Sequence, residues 1–203
     1  RYYLHYRVVK AIEYGIPQKR ERVVVIGRLN QDFDINKLFD ETRQEISKSE
    51  PHFFDDVTVW DAIGDLDSPK ASGLVKTDSS AMSPYAAYLN QGVTVVENHA
   101  ATHHSKLAER RMKQVHGGEN WTVLKDNIKS VHSGAYGRLL RDAPSATITT
   151  RFDTPSGGRF THPLEDRTIT PREAARIQSF PDSFTFYGSR TSICKQIGNA
   201  VPP

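Results

Sequence analysis

The chain has 203 residues, 37% of them hydrophobic, with 27 Lys and Arg against 24 Asp and Glu. That is enough apolar material for one large or two modest globular domains, and no run approaches the roughly eighteen apolar residues of a membrane span. The single cysteine, Cys194, excludes an intramolecular disulfide framework and a Cys-rich zinc site, and the polar start RYYLHYRVVK lacks the apolar core of a signal peptide.

Charge is unevenly spread. Residues 1–30 carry seven basic against two acidic residues, residues 31–80 five against twelve, and residues 101–141 eight against three. Such asymmetry fits one face turned to a polyanion and another to solvent, although charge runs are also ordinary surface.

In chain order, Tyr6–Ala11 and the run Val23–Val24–Val25–Ile26 predict two strands joined by a turn at Gly15–Ile16–Pro17, the second closed by Gly27. The short, nearly continuous apolar run is that of a strand covered on both faces in an α/β sheet. Thr58, with Asp61 three residues on, predicts a capped helix whose apolar face is Val59, Trp60, Ile63 and Leu66, ended by Ser68–Pro69. A second helix is expected over Ser105–Val115, with Leu107, Ala108, Met112 and Val115 inward and Gly117–Gly118 ending it. Ser79–Pro84 and Ser130–Gly137 read as loops. Ala146, Ile148, Thr150 and Phe152 alternate with Thr147, Thr149 and Arg151, which predicts a half-buried strand, and Thr154–Arg159 is a glycine-bearing loop suited to close approach of a ligand. Finally, Thr170 as N-cap, Pro171 at the first helical position and Glu173 completing a capping box start a helix that Pro181 stops. Cys194 is expected to be a buried small apolar residue, and the grouping of His99, His103 and His104 lacks the Cys or acidic ligands of a metal site, so no metal is expected.

Four blocks, PQKRER at Pro17–Arg22, GRLLRDAPSATITT at Gly137–Thr150, RTITPREAARIQSFPDSF at Arg167–Phe184 and QIGNAVPP at Gln196–Pro203, occur in the order and approximate spacing of the eighth to tenth motifs of the DNA cytosine-5 methyltransferases. The chain resembles the C-terminal portion of that family, with the target-recognition region between the motifs. The resemblance implies an α/β fold: a fragment of a doubly wound, Rossmann-like methyltransferase sheet plus a smaller irregular target-recognition domain. It divides the chain into the end of the catalytic domain (1–30), the target-recognition domain (31–160), and a helix with the last cofactor-side motif returning to the catalytic domain (161–203).

In that family a flipped cytosine is attacked by a cysteine thiolate and methylated from S-adenosylmethionine. By resemblance, Arg22 is the catalytic arginine that donates to the cytosine carbonyl oxygen, with Gln18 and Arg20 as its scaffold; for Arg20 an ion pair within the sheet is an equal alternative. Asn199, Ala200 and Val201 resemble the residues that line the S-adenosylmethionine pocket, though the same residues would also make a tight Gly–Asn turn before a helix. Thr147 resembles a threonine touching the phosphate beside the target base, or is a buried strand threonine. Arg138, Arg141, Arg151 and Arg159 are candidates for reading guanine or holding phosphate.

The family's Pro-Cys nucleophile, its Phe-x-Gly-x-Gly cofactor loop and its Glu-Asn-Val carboxylate motif do not occur in these 203 residues, where Cys194 lies between Ile193 and Lys195. Two expectations follow. The chain is part of an enzyme, silent alone and active with an N-terminal catalytic portion from the same gene or a separate subunit; or it is a stand-alone, non-catalytic module or specificity subunit. Either way the expected partner is double-stranded DNA, with no membrane, in a bacterial-type cytoplasm.

Overall fold

The computed structural model describes residues 1–50, 55–126, 128 and 132–202. The expected loop at Ser130–Gly137 and the last motif therefore each lie partly outside the described residues. No described helix is long and apolar enough to cross a membrane.

The first thirty residues form a long antiparallel hairpin of β1 (Tyr2–Lys10) and β3 (Glu21–Leu29), in register from Tyr2 opposite Leu29 to Lys10 opposite Glu21. Both strands are longer than expected, and β3 runs through Gly27. Between them lie a 3-10 turn over Ala11–Tyr14, Gly15 in the left-handed region at φ 67°, and the two-residue β2 (Gln18–Lys19). Alternation puts Tyr3, His5, Arg7 and Val9 on one face. There Arg7 lies over the Phe39 ring at 5.0 Å and pairs with Asp40 of α1 (Ile35–Ser49) at 3.7 Å. The other face carries Tyr2, Leu4, Tyr6, Val8, Val23, Val25 and Leu29, all exposed. The expectation of a strand covered on both faces is thus met on one side only among the described residues. α1 itself went unpredicted; its signal was Asp34, whose carboxylate accepts from the amides of Asn36 and Lys37.

The middle of the chain is irregular, as expected, with short elements: α2 (Val59–Ile63), β4 (Val75–Lys76), α3 (Pro84–Asn90), β5 (Val95–Val96) and α4 (Lys106–Lys113). The Thr58–Asp61 capping box is present, but α2 stops at Ile63, five residues before Ser68, because Leu66 leaves the helix to bridge Thr77. α3 begins where a loop was expected to end, capped by Ser83 with Pro84 at its first position. α4 turns Ala108 and Met112 inward, into a small core with Val115, Leu124, Ala135 and Tyr136, and ends at Lys113, two residues short of the expected Val115. Leu107 is a correction: it is 44% exposed, being four positions from Arg111 and so off the stripe that Ala108 and Met112 define.

The main core joins α2 to α5 (Pro171–Ile177) and α6 (Arg190–Asn199) through Val59, Ala62, Ile63, Ile148, Phe152, Ile169, Ala174, Ala175, Ile177, Ile193, Cys194 and Ile197. α5 carries the expected capping box, Thr170 with Glu173, and is buried on every side. Its charged residues survive burial by pairing. Arg176 donates to both oxygens of Asp182 and to Asp65, and Arg167 donates two bonds of 2.8 Å to Glu173. Burial alone would raise the Glu173 carboxyl, but the Arg167 charge and its hydrogen bonds outweigh that and hold it well below its ordinary value.

The expected strand over Ala146–Phe152 is reduced to β6 (Ser145–Ala146), parallel to β2 over two residue pairs. Ile148 and Phe152 are buried as the alternation requires, yet Thr147–Thr150 leave the ladder. Side chains replace the missing strand partner: the Ile148 amide donates to Gln18 Oε1 (2.9 Å), and its carbonyl accepts from Arg20 Nη1 (2.9 Å).

Candidate functional site

The four sequence blocks, up to 180 residues apart, meet at one buried polar junction. Gln18 and Arg20 enter it from either side of Lys19, where β2 hands over to β3. Gln18 Nε2 donates to Gln178 Oε1 at 2.8 Å, and Gln178 Nε2 donates to the Ile197 carbonyl. Arg20 donates to the carbonyls of Ile148 and, at 3.2 Å, Gly198. Its Nε is buried and has no hydrogen-bond partner among the described residues, and burial, then the nearby Arg22 charge, lowers its pKa. Gly198 is where α6 meets the Thr149–Thr150 backbone: a Cβ there would sit 2.4 Å from Thr149 C and from Thr150 N. Only glycine allows that approach.

Outside this junction opens a cleft of about 220 Å³ lined by Val9, Ala11, Tyr14, Ile16, Arg20, Arg22, Val201 and Pro202. Arg22 is exposed and spends one hydrogen bond, from Nη1, on the neighbouring Glu21 carbonyl (2.7 Å). A larger cavity, lined by Tyr85, Tyr88 and several carboxylates, lies elsewhere. Chemistry argues for the smaller cleft: it alone of the two joins cationic donors to an apolar wall, which suits a planar carbonyl-bearing ligand.

The predicted cofactor residues lie at the end of α6. Asn199 is its last residue, with an exposed amide side chain; Ala200 is the C-cap and Val201 is 63% exposed on the cleft. The expected turn therefore follows a helix. Thr147 is half-buried, and its hydroxyl donates to the Lys19 carbonyl at 2.7 Å, which leaves the oxygen free to accept.

The four arginines proposed for DNA divide sharply. Arg138 is buried, and its guanidinium donates to the carbonyls of Val115, His162, Glu165 and Met112 and to Asp166, all between 2.6 and 2.8 Å. It clamps the small core to the 161–167 segment and has no donor left over. Arg159 is half-buried, donating from Nη1 to the carbonyls of Glu119 and Arg138. Arg141 is half exposed, stacked 4.7 Å above the Trp60 ring and beside Asp142. Arg151 is exposed and donates to Thr154. The three histidines do not converge: His99 is buried between Thr170 Oγ1 and the Asp67 carbonyl, His104 meets Thr168, and His103 is exposed. Gln178 was missed as a site residue; it is the fully buried C-cap of α5, and nothing local in the sequence marks what its amide meets.

The strand ends, the helix terminus and the arginine pair of this α/β chain thus share one cleft. The chain belongs to the C-5 cytosine-specific DNA methylases, whose family pattern matches residues 1–203. It is 34% identical over its whole length to the Type II methyltransferase M.NgoFVII of Neisseria gonorrhoeae, covering 47% of that protein, and 35% identical over 98% of its length to M.PspPI of Psychrobacter sp., covering 42%. Over 72 residues it is 51% identical to M1.BsuMI of Bacillus subtilis, a match that spans 35% of this chain and 17% of that one. Among solved structures, an E. coli prophage protein described as a DNA modification methyltransferase superposes with a TM-score of 0.70 at 24% identity, over 98% of this chain and 56% of that one. The chain spans about half the length of the curated relatives it matches end to end.

Proposed function

We propose that this chain supplies one side of the active-site cleft, together with the DNA-recognising region, of a DNA cytosine-5 methyltransferase. The carrying observation is the single cleft that Arg20, Arg22 and Val201 all line although their motifs lie some 180 residues apart in sequence.

Within it, Arg22 is the catalytic residue. Its free donors meet the carbonyl oxygen of the flipped cytosine, where negative charge gathers as a nucleophile adds to the ring, and a guanidinium stays charged there at any working pH. Gln18 and Arg20 hold the strand that presents it. Asn199, Ala200 and Val201 fit S-adenosylmethionine as one wall: an exposed amide for its polar groups beside an apolar surface continuous with the cleft. When bound, that cofactor supplies the methyl group. The division into residues 1–30, 31–160 and 161–203 follows from this reading. Thr147, Arg141, Arg151 and Arg159 face the duplex, whereas Arg138 belongs to the scaffold.

The nucleophile, the carboxylate that steadies the ring and the rest of the cofactor site come from a segment bearing Pro-Cys, Glu-Asn-Val and Phe-x-Gly-x-Gly. The exposed apolar face of the β1–β3 hairpin supports such a companion, since seven large apolar side chains on one sheet face favour cover by further polypeptide. The test is to produce the chain with that segment and follow transfer of labelled methyl from S-adenosylmethionine to duplex DNA. Transfer is expected, and Arg22→Ala should cut kcat by at least about a hundredfold. A stable complex that methylates nothing overturns the proposal. Tight, salt-sensitive duplex binding by the chain alone, with no gain on adding the segment, would instead favour the stand-alone module.

A further inference from the structure

We propose that Gln178 is a positioning residue for methyl transfer, coupling the end of α6, which carries the cofactor wall, to the strand that carries Arg22. The inference rests on the functional reading above.

The geometry is a one-way relay. The Ile148 amide donates to Gln18 Oε1, so Gln18 must present its Nε2 outward; that Nε2 donates to Gln178 Oε1, so Gln178 must present its own Nε2, which donates to the Ile197 carbonyl. Turning either amide over would set oxygen against oxygen or N–H against N–H. All four members are buried, so no water stands in for a lost partner. The relay ends at a carbonyl that matters: Ile197 O also accepts from the Ala200 amide, where the chain leaves α6 for Asn199–Val201. Its other end lies two residues before Arg20, which grips the Ile148 and Gly198 carbonyls, and four before Arg22. β2, which carries Gln18, shares only two residue pairs with β6, so its ladder gives it little anchorage, whereas β3 beyond it is held along its length by β1. A leucine closing α5 would fill the same space without burying a second amide, and burying an amide is unfavourable unless its bonds are made. What the amide adds is a fixed distance and direction between the two walls of the cleft.

The test uses the active, assembled methyltransferase. In Gln178→Leu, KM for S-adenosylmethionine should rise and kcat fall, each roughly tenfold, with the duplex Kd within about twofold of the parent. Gln18→Leu should behave alike, and the double variant should be no worse than either single, because both cut the same relay. Gln178→Glu supplies a readout that packing alone would not move. As a neutral acid it keeps both an acceptor toward Gln18 and a donor toward Ile197; ionised, it loses the donor. Its activity relative to the parent should therefore be retained at low pH and fall as pH rises. Additive Leu effects, unchanged kcat and KM in a folded Gln178→Leu, or a flat pH ratio for Gln178→Glu would each overturn the inference. Where Gln178→Leu does not fold, the pH ratio decides. If Arg22→Ala leaves kcat intact, the functional reading itself fails; if Arg22→Ala abolishes turnover while the relay variants are silent, only this inference does.

Discussion

Replacing Arg138 by lysine separates a scaffold role from a DNA-binding one. The arginine makes five hydrogen bonds of 2.6–2.8 Å with a side chain 8% exposed, four of them to main-chain carbonyls. Lysine keeps the charge but offers three N–H groups from one nitrogen, which cannot reach carbonyls placed around the whole fork of a guanidinium. At least two of the five acceptors lose their donor, each costing about 1–3 kcal/mol when buried, so Arg138→Lys should lose about 2–6 kcal/mol. For a chain of this size that is a fall in Tm on the order of 10 °C. Thermal unfolding reads the stability, and duplex binding across a salt series reads the DNA contact. A phosphate contact would be kept by lysine, leaving both Tm and the salt slope near the parent. An unchanged Tm for Arg138→Lys, with Arg138→Ala lowering the slope by about one phosphate and nothing else, would refute the scaffold assignment.

Gly198→Ala should be among the most damaging small changes, because its Cβ would meet Thr149 and Thr150 backbone, which cannot swing aside; about 1–3 kcal/mol in chemical denaturation is expected. Glu173 has a depressed folded pKa, so its contribution is complete above pH 4.5, its ordinary value, and is lost as pH falls toward the folded value. Unfolding measured from pH 7 to pH 3 should therefore show a steep acid loss in the parent and a flatter one in Glu173→Gln, which is itself about 3 kcal/mol weaker at neutral pH. Cys194 is buried, and burial, then the Asp153 charge, pushes its thiol up to about 12; iodoacetamide at pH 8 should leave it unmodified until denaturant is added.

Local chemistry made much of the fold legible in sequence. The capping boxes at Thr58 and Thr170 need only residues three apart, and both formed where expected. The hairpin was visible from its β-branched runs, although its ends were not, since register depends on the partner strand. α1 was missed because its apolar positions are sparse and polar residues dominate its exposed side, and the strand over Ala146–Phe152 was overextended because alternation reports burial and not pairing. Ile148 and Phe152 are indeed buried, yet the Ile148 amide and carbonyl are satisfied by Gln18 and Arg20 side chains in place of a neighbouring strand.

The candidate site divides along the same line. Arg22, Gln18, Arg20 and Asn199–Val201 are candidates from short motifs, each a local pattern of residue types. Sequence alone thus determined the family and the capped starts of α2 and α5. Tertiary structure decided what each polar side chain faces: that Arg138 spends all its donors on four carbonyls and a carboxylate 23 to 28 residues away, that Gln178 joins Gln18 across 160 residues, and that Arg22 and Val201 border one cleft. A guanidinium or an amide has the same chemistry wherever it stands, and only the folded chain sets which partners lie within hydrogen-bond reach.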